Sequence, residues 1–181
     1  MDITKATTIA EFRAFRALLD EMAAWDAFET GTRGYDSEAL LRICYSDGAE
    51  ALQEQFSQPG AALFLSRHEG QVVGCAGYSD LSAGIAEVEK VFVRPSARGL
   101  GAGAALVRTV LTGMTDSNYL RARLETAEFM AEAIGLYRRF GFQVCPAFRA
   151  PMGDLGPMTV FMERELQDAR KAQHGPMAHP T

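Results

Sequence analysis

Apolar residues recur at helical spacing near the start of the chain and lose that regularity further on. Between residues 8 and 24 they lie three or four positions apart, a pattern that predicts an amphipathic helix. These apolar positions are Ile9, Phe12, Phe15, Leu18, Leu19 and Met22. Residues 25–60 are less periodic, and Gly31, Gly34 and Gly48 interrupt them, so one or two short helices are predicted there.

The stretch that follows carries apolar runs of the length of β-strands. Residues 61–67 and 71–78 flank a Glu69-Gly70 turn, which predicts a β-hairpin. A third strand is predicted over residues 85–93, after a turn at 82–84. The middle of the chain is therefore expected to form an antiparallel part of a sheet.

Helix and strand patterns then alternate to the end of the periodic region. The predicted helices cover 102–114 and 130–140, the second ended by Gly141, and the predicted strands cover 120–125, 142–144 and 158–164. Hairpins combined with strand-helix-strand units predict an α/β (α+β) domain. We expect a mixed central sheet of about six to seven strands flanked by about four helices.

Length and composition predict one domain. A chain of 181 residues with 48% hydrophobic residues suffices for one sizeable core. We assign residues 1–166 to that domain. Residues 167–181 have little to bury and are predicted to be disordered.

Charge and cysteine content exclude several classes of function. The formal net charge is -5 with acidic and basic residues interspersed, which argues against a nucleic acid partner and favours a neutral or cationic small substrate. Cys44, Cys75 and Cys145 form no CxxC pair, so neither a metal site nor a disulfide framework is predicted. No run of about eighteen apolar residues occurs, so we expect no membrane span and a cytoplasmic location. A homodimer is the default expectation on general grounds.

The feature that carries chemistry is a glycine-rich loop between a predicted strand and a predicted helix. The strand ends at Val93, and Gly99, Gly101 and Gly103 lead into the helix. Glycines let an anion approach the backbone, where unpaired N–H groups and the positive end of the helix dipole converge. The sequence therefore predicts a phosphate-binding loop.

Two known anion loops fit this segment less well. A nucleotide P-loop needs a Gly-Lys pair after the glycines, and none is present. The dinucleotide fingerprint GxGxxA is formally met by Gly99, Gly101 and Ala104, with Glu125 near the distance of a ribose acid. However, residues 94–98 separate the strand from the first glycine, and one such strand-helix-strand unit is visible in the chain. A dinucleotide oxidoreductase stays the least favoured alternative.

The loop resembles that of the GNAT superfamily of N-acetyltransferases, which follows the pattern Q/R-x-x-G-x-G/A. Here the pattern reads RGLGAG, from Arg98 to Gly103. The flanking AEVEKVFVRPSARGLGAGAAL resembles the family's fourth strand, loop and following helix, and AIGLYRRFGF resembles its later helix and closing Gly-Phe. The resemblance covers residues 85–142.

This resemblance implies acetyl-coenzyme A as cosubstrate, with no metal, and assigns residues to it. The pantetheine arm would lie between the strands at 87–93 and 120–125, and a backbone N–H near Phe92 or Val93 would face the thioester oxygen. Many family members have an asparagine where this chain has Met130, so that contact is not carried over. The pyrophosphate would be held by backbone amides of Arg98, Gly99, Leu100, Gly101, Ala102 and Gly103.

Two catalytic residues follow from the same resemblance. Tyr137 matches the tyrosine that protonates the departing sulfur, and a phenol is protonated at neutral pH. Glu87 matches an acidic position where some members deprotonate the amine directly or through water. Glu89 lies on the same side of the strand, and two neighbouring carboxylates would raise at least one pKa. The alternatives are that Tyr137 only packs on its helix face and that the glutamates only reach the solvated sheet edge or pair with Lys90, Arg121 or Arg123.

The predicted function is transfer of an acetyl group from acetyl-coenzyme A directly to a primary amine of a small molecule or peptide. The acceptor is not identified by the residues, although the excess of acid over base favours a cationic one. The alternative is a module that binds or senses acyl-coenzyme A without catalysis.

Overall fold

The computed structural model describes residues 1–151 and 153–166, so the tail predicted to be disordered, 167–181, lies outside the described residues. In the described part of the chain the strands form a mixed seven-stranded sheet in the order β1-β2-β3-β4-β5-β7-β6. The strands are β1 (Asp2–Lys5), β2 (Ala62–His68), β3 (Gln71–Ser82), β4 (Ile85–Val93), β5 (Arg121–Ala127), β6 (Gln143–Val144) and β7 (Thr159–Glu165).

Helices cover both faces of this sheet. They are α1 (Ile9–Thr32), α2 (Ser37–Cys44), α3 (Ala49–Phe56), α4 (Ala102–Asp116) and α5 (Ala131–Arg139), with 3-10 turns at Pro95–Ala97 and Gly153–Met158. The predicted fold class, α/β with a mixed sheet, is confirmed. The structure adds one helix to the four expected.

The alternation of strand residues separates two cores. On β2, Ala62 faces the core around α4, whereas Leu63 and Leu65 face the core formed with α1 and α3. α4 packs on β2, β3 and β4, and α1 contacts β3 and β4 from the other side. The sheet therefore has both faces covered, as expected for a layered α/β domain.

The first helix is longer than its apolar pattern predicts. Thr8 caps its start through a capping box with Glu11, in which the Glu11 N–H donates to the threonine hydroxyl at 3.3 Å and the carboxylate accepts from the Thr8 N–H at 3.0 Å. The helix continues through Gly31 to Thr32, so the prediction that Gly31 interrupts this region is wrong. Its last turns carry the buried polar residues Asp26 and Thr30.

The central strands β4 and β5 separate along their length. They are parallel neighbours, but pairing covers only Ile85 to Glu87 of β4, opposite Arg121 to Arg123 of β5. Beyond Glu87, β4 carries a bulge at Lys90, whose φ of 57° lies in the left-handed region. The diverging strand ends open a gap in the middle of the sheet.

No helix among the described residues is both long and apolar enough to cross a membrane.

Candidate active site

The glycine-rich loop joins β4 to α4 with backbone conformations that need glycine. Gly99 and Gly101 have φ values of +77° and +83°, and a Cβ on either would meet nothing within 4 Å. Strain in the left-handed region, and not lack of space, therefore selects glycine at these two positions. Gly103 differs, because its Cβ would lie 3.4 Å from the Leu136 side chain of α5. This distance is that of an ordinary van der Waals contact, so the packing of α4 on α5 does not by itself require glycine at position 103.

The start of α4 presents free donors to this loop. Gly101 is the N-cap residue, and no side chain caps the helix. The N–H groups of residues 102–104 have no acceptor within the helix, since the first intrahelical bond runs from Ala105 to the Gly101 carbonyl at 3.0 Å. Open space above two glycines and a row of uncapped amides fit a bound pyrophosphate.

A cleft of about 860 Å³, called the large cleft below, runs from this loop into the gap between β4 and β5. Of the residues predicted to bind the cosubstrate, seven line it: Phe92, Val93, Arg98, Gly99, Gly101, Ala102 and Gly103. Leu100 is not among its lining residues and is 52% exposed. The opposite wall comes from α5 and the preceding turn, including Phe129, Met130 and Leu136.

The amides of β4 at the cleft have different directions. The Arg94 N–H donates to the Val73 carbonyl of β3 at 2.8 Å, and the Phe92 N–H faces the Cys75 thiol, which also lies on β3. Because N–H groups alternate along a strand, the Val93 N–H points away from β3, to the side from which β5 has separated. Of the two predicted positions, Val93 is the one oriented to meet an oxygen in the large cleft.

A small cavity of about 180 Å³ adjoins the large cleft. Residues of α1, α2, β4, β5 and α5 line it, together with Leu155, Met158 and Thr159 before and within β7. Both spaces are bounded by Met22, Asp26, Val91, Phe129, Met130 and Ala133. The two spaces therefore meet at a common wall, on which Asp26 is the one ionisable residue among those described.

Tyr137 lies on α5 and lines the small cavity. Its ring packs edge-on against Phe142 with centroids 5.9 Å apart, and its side chain is buried. Burial raises the pKa of the phenol well above its ordinary value, so the group keeps its proton at neutral pH. Its hydroxyl has no hydrogen-bond partner among the described residues. The Tyr137 ring thus packs as the packing alternative predicts, but packing does not account for the hydroxyl.

Glu87 is buried, but Arg149 holds it. The Arg149 guanidinium contacts both oxygens, with Nη1 donating to Oε2 at 2.7 Å, and also donates through Nε to Glu125 of β5 at 3.1 Å. The partners considered from the sequence were Lys90, Arg121 and Arg123, and Arg149 replaces them. Burial raises the pKa of Glu87, and hydrogen bonds from Arg149 partly offset this. Glu87 does not line the small cavity, so its role as base stays a prediction.

Glu89, unlike Glu87, lines the small cavity. The Ser79 hydroxyl donates to its Oε1 at 2.5 Å, and the Gln55 amide donates to the same oxygen at 3.4 Å. These contacts hold the carboxylate against β3 and α3. Glu89 therefore contributes negative charge to the cavity wall.

The sequence reasoning missed a third carboxylate, Asp26 of α1. The Tyr45 hydroxyl donates to Asp26 Oδ2, while Oδ1 is buried and has no hydrogen-bond partner in the described structure. Burial raises the pKa of Asp26 to about 6, although Tyr45 and the nearby Lys90 lower it. The signal in the sequence is its spacing, because Asp26 lies four positions after Met22 and seven after Leu19 and so extends the apolar face of the first helix.

The raised pKa of Asp26 predicts that its charge weakens the fold. In the folded protein the carboxyl keeps its proton up to about pH 6, whereas its ordinary pKa is 3.8. Its contribution to the free energy of unfolding therefore falls as pH rises through this interval. We expect Asp26→Asn to increase the free energy of unfolding at pH 7.5 by about 1–2 kcal/mol, part of the roughly 3 kcal/mol that the shift represents, since one amide group stays unpaired. Urea unfolding at pH 7.5 and pH 4.5 measures it. Equal or lower stability at pH 7.5 contradicts this account.

Removing Arg149 should lower the free energy of unfolding at pH 7.5, in contrast to Asp26→Asn. Arg149→Ala leaves Glu87 buried without its cation, and we expect a loss of about 2 kcal/mol at pH 7.5. The pKa of Glu87, already raised, would rise further, so the loss should shrink as pH falls and the group protonates. Arg123→Ala is the matched control, because its partner Glu163 is partly exposed, and should cost less than about 1 kcal/mol. An equal loss at pH 5 and pH 7.5 would remove Glu87 as the cause.

Among the described residues, no group of three or more His, Cys, Asp or Glu is placed to hold a metal ion.

Comparison with known sequences shows which family this chain resembles. The profile of the Acetyltransferase (GNAT) family matches residues 19–142, more than half of the chain. The IAA acetyltransferase of Azospirillum brasilense is 34% identical over 116 residues, which are 62% of this chain and 73% of that protein. The Uncharacterized N-acetyltransferase YjgM of Escherichia coli (strain K12) is 34% identical over 97 residues, 52% of this chain and 58% of that protein.

Solved structures show the same fold. An acetyltransferase of the GNAT family from Staphylococcus aureus MU50 has a TM-score of 0.70 at 19% identity, covering 92% of this chain and 99% of that one. The PaiA N-acetyltransferase from Thermoplasma acidophilum, determined in complex with coenzyme A, has a TM-score of 0.69 at 17% identity, covering 91% and 99%. The chain therefore belongs to the acetyltransferase (GNAT) family, whose members transfer acyl groups from acyl-coenzyme A to amines.

Proposed function

We propose that this protein transfers an acetyl group from acetyl-coenzyme A directly to a primary amine of a small molecule or peptide. One observation carries the proposal. The large cleft, which begins at the uncapped start of α4, meets the small cavity at a shared wall, and Tyr137 lines the small cavity beside that wall. A thioester entering from the cleft and an amine entering from the cavity would meet there.

The chain's own groups supply binding and orientation. The amide row predicted from the sequence began at Arg98, but the Arg98 N–H donates to the Pro95 carbonyl at 3.2 Å. Backbone N–H groups from Gly99 to Gly103 would therefore hold the pyrophosphate, with the Arg98 side chain adding charge at the mouth. The Arg98 Nε donates to the Val93 carbonyl at 3.3 Å, which ties this side chain to the end of β4. The Val93 N–H would face the thioester oxygen and stabilise the negative charge that develops on it.

Proton transfer completes the reaction. Acetyl-coenzyme A supplies the acetyl group as a thioester, and the Tyr137 hydroxyl would donate its proton to the departing sulfur. The phenol suits this role because its raised pKa keeps it protonated and its hydroxyl has no competing acceptor among the described residues. The amine would lose its proton to a carboxylate, directly or through water. Glu87 remains the carboxylate predicted from the sequence, although it lines neither the small cavity nor the large cleft.

The cavity wall supports a small amine as acceptor. Its lining is mainly apolar, with Leu40, Leu155 and Met158 among the buried residues. Asp26, Glu89 and Glu125 line it against one lysine, Lys90, so the cavity favours a positively charged guest. The A. brasilense relative is named as an acetyltransferase, which agrees with an acetyl donor, and the T. acidophilum structure contains coenzyme A, which agrees with a coenzyme A thioester as cosubstrate.

The proposal is tested by incubating the purified protein with acetyl-coenzyme A and a panel of primary amines of different size and charge. We expect release of free coenzyme A that depends on the amine and equals the amount of N-acetylated product. Binding of acetyl-coenzyme A without product on any amine would instead support the non-catalytic acyl-coenzyme A module. Absence of binding would remove both.

A further inference from the structure

Asp26 has an oxygen that the folded chain does not use. The residue is 6% exposed and lies in α1. The Tyr45 hydroxyl engages Oδ2, and Oδ1 has no partner within the described residues. A buried carboxylate oxygen without a partner is costly, so folded proteins rarely keep one without a use. A ligand with an N–H donor would satisfy it.

The position of Asp26 identifies which ligand this is. Of the ionisable residues described on the two walls, Asp26 alone borders both the large cleft and the small cavity. Glu89 and Glu125 border only the small cavity, and Glu132 borders only the large cleft. Asp26 therefore lies where a thioester from the cleft and an amine from the cavity come together.

Charged and titratable groups face Asp26 from several elements. Glu29 lies on the same helix, Tyr45 and Cys44 come from α2 and its end, and Lys90 comes from β4. Glu125 of β5 and Tyr137 of α5 line the same small cavity.

The lysine lies near the aspartate and lowers its pKa without pairing with it directly. Lys90 Nζ donates to the Cys44 carbonyl at 2.8 Å and lies 5.5 Å from the centre of the Tyr45 ring. No ion pair between Lys90 and Asp26 occurs in the described structure. The negative charge of Asp26 is therefore available to a bound cation.

We propose that Asp26 Oδ1 binds the ammonium group of the acceptor and takes its proton, while Tyr45 holds Oδ2 and fixes the carboxylate. This rests on the proposed function. The nitrogen loses one proton to Oδ1, and its freed electron pair forms the N–C bond to the acetyl carbon. The C–S bond breaks with its electrons going to sulfur, and Tyr137 protonates the thiolate. The nitrogen gives up its second proton, which restores Tyr137 through solvent, and Asp26 releases its proton to solvent.

This assignment predicts the direction of the pH dependence. Asp26 must be ionised to accept the proton, and its pKa is raised to about 6. Activity should therefore fall as pH drops through about 6 and should not gain further from this group above about pH 7. The neighbouring Tyr137 keeps its proton throughout this interval, because its pKa is raised as well.

The test compares Asp26→Asn with Asp20→Asn, an exposed aspartate on the same helix that pairs with Arg16. For an amine that the wild type acetylates, we expect Asp26→Asn to lower kcat/KM at least 100-fold at pH 7.5 and to abolish the fall near pH 6. Asp20→Asn should stay within about twofold. Glu87→Gln should keep the fall near pH 6.

A second readout does not need turnover. Benzylamine and neutral benzyl alcohol are titrated into the protein saturated with coenzyme A. The wild type should prefer benzylamine, and Asp26→Asn should lose that preference by about tenfold or more. Asp20→Asn should retain it.

The outcomes separate this inference from the proposed function. If the wild type acetylates the amine but Asp26→Asn keeps the same pH profile and amine preference, the inference is overturned and the proposed function stands. If instead Glu87→Gln abolishes the fall in activity near pH 6, Glu87 is the base. A wild type that binds benzylamine through Asp26 but acetylates no amine defeats the proposed function and, with it, proton transfer to Asp26. A wild type with no preference for the amine overturns the binding role directly.

Discussion

Gly101→Val should lower the affinity for acetyl-coenzyme A by at least about 100-fold while the protein remains folded. The position has a φ of +83°, which a β-branched residue adopts only with strain of about 1–3 kcal/mol. The new side chain would also fill the open space in front of the uncapped amides of α4. Loss of these donors removes the charge-assisted contacts on which binding of a pyrophosphate depends. Calorimetric titration with acetyl-coenzyme A measures the effect.

Gly70→Val separates loss of binding from strain. Gly70 has a φ of +78° in the turn between β2 and β3, and a Cβ there also meets nothing within 4 Å. Both variants should lose similar amounts of stability, but only Gly101→Val should lose affinity. If Gly101→Val binds acetyl-coenzyme A as tightly as Gly70→Val does, the loop is not the pyrophosphate site.

Tyr137→Phe should lower kcat by about 100-fold with little change in affinity for acetyl-coenzyme A. The substitution keeps the ring that packs against Phe142 and removes a hydroxyl that no described residue engages. Its stability should therefore match the wild type. The loss expected in kcat is that of the proton delivered to the departing sulfur. Steady-state kinetics across pH 6 to 9, with a parallel binding titration, measure it.

Tyr119→Phe serves as the matched control for Tyr137→Phe. Its hydroxyl donates to the Gly60 carbonyl at 2.9 Å, and Tyr119 lines neither the large cleft nor the small cavity. This variant should lose about 1 kcal/mol of stability and keep its turnover. Unchanged kcat in Tyr137→Phe at every pH would remove the tyrosine from the chemistry and leave only its packing.

Features specified by local chemistry were predictable. The strand over 85–93 has the predicted bounds in the structure, and the hairpin turn at Glu69-Gly70 joins β2 to β3 as expected. The loop from Arg98 to Gly103 was predicted because its glycines leave the backbone open to an anion and because a helix start exposes N–H groups. Each of these signals lies within about ten residues of sequence.

Features that depend on distant contacts were not predictable in the same way. β1 is four residues long and exists because it pairs with β2, some sixty positions away, so no local pattern announces it. The last turns of α1 remain helical because Asp26 and Thr30 are buried against other elements, which the apolar pattern of residues 8–24 does not show. Tertiary burial outweighed the glycine at position 31.

The candidate active site also depends on contacts between residues that are distant in sequence. Arg149 comes from the loop before β7, and nothing near it in the sequence connects it to Glu87 or Glu125. Asp26 and Tyr45 are nineteen residues apart and meet only when α1 and α2 pack together. Local sequence pointed to the loop, and the family resemblance pointed to the tyrosine, but neither pointed to Asp26, Tyr45 or Arg149.

The central claim, direct transfer to an amine, is tested most directly by mass spectrometry after incubation with acetyl-coenzyme A carrying a ¹³C-labelled acetyl group and an acceptor amine. The competing acyl acceptor is Cys44, which lines the small cavity, although burial raises the pKa of its thiol and makes it a poor nucleophile. Label on the amine nitrogen, with one coenzyme A released per product and no mass added to the protein, is the predicted result. Label retained on the protein, or coenzyme A released without labelled amine, would contradict it.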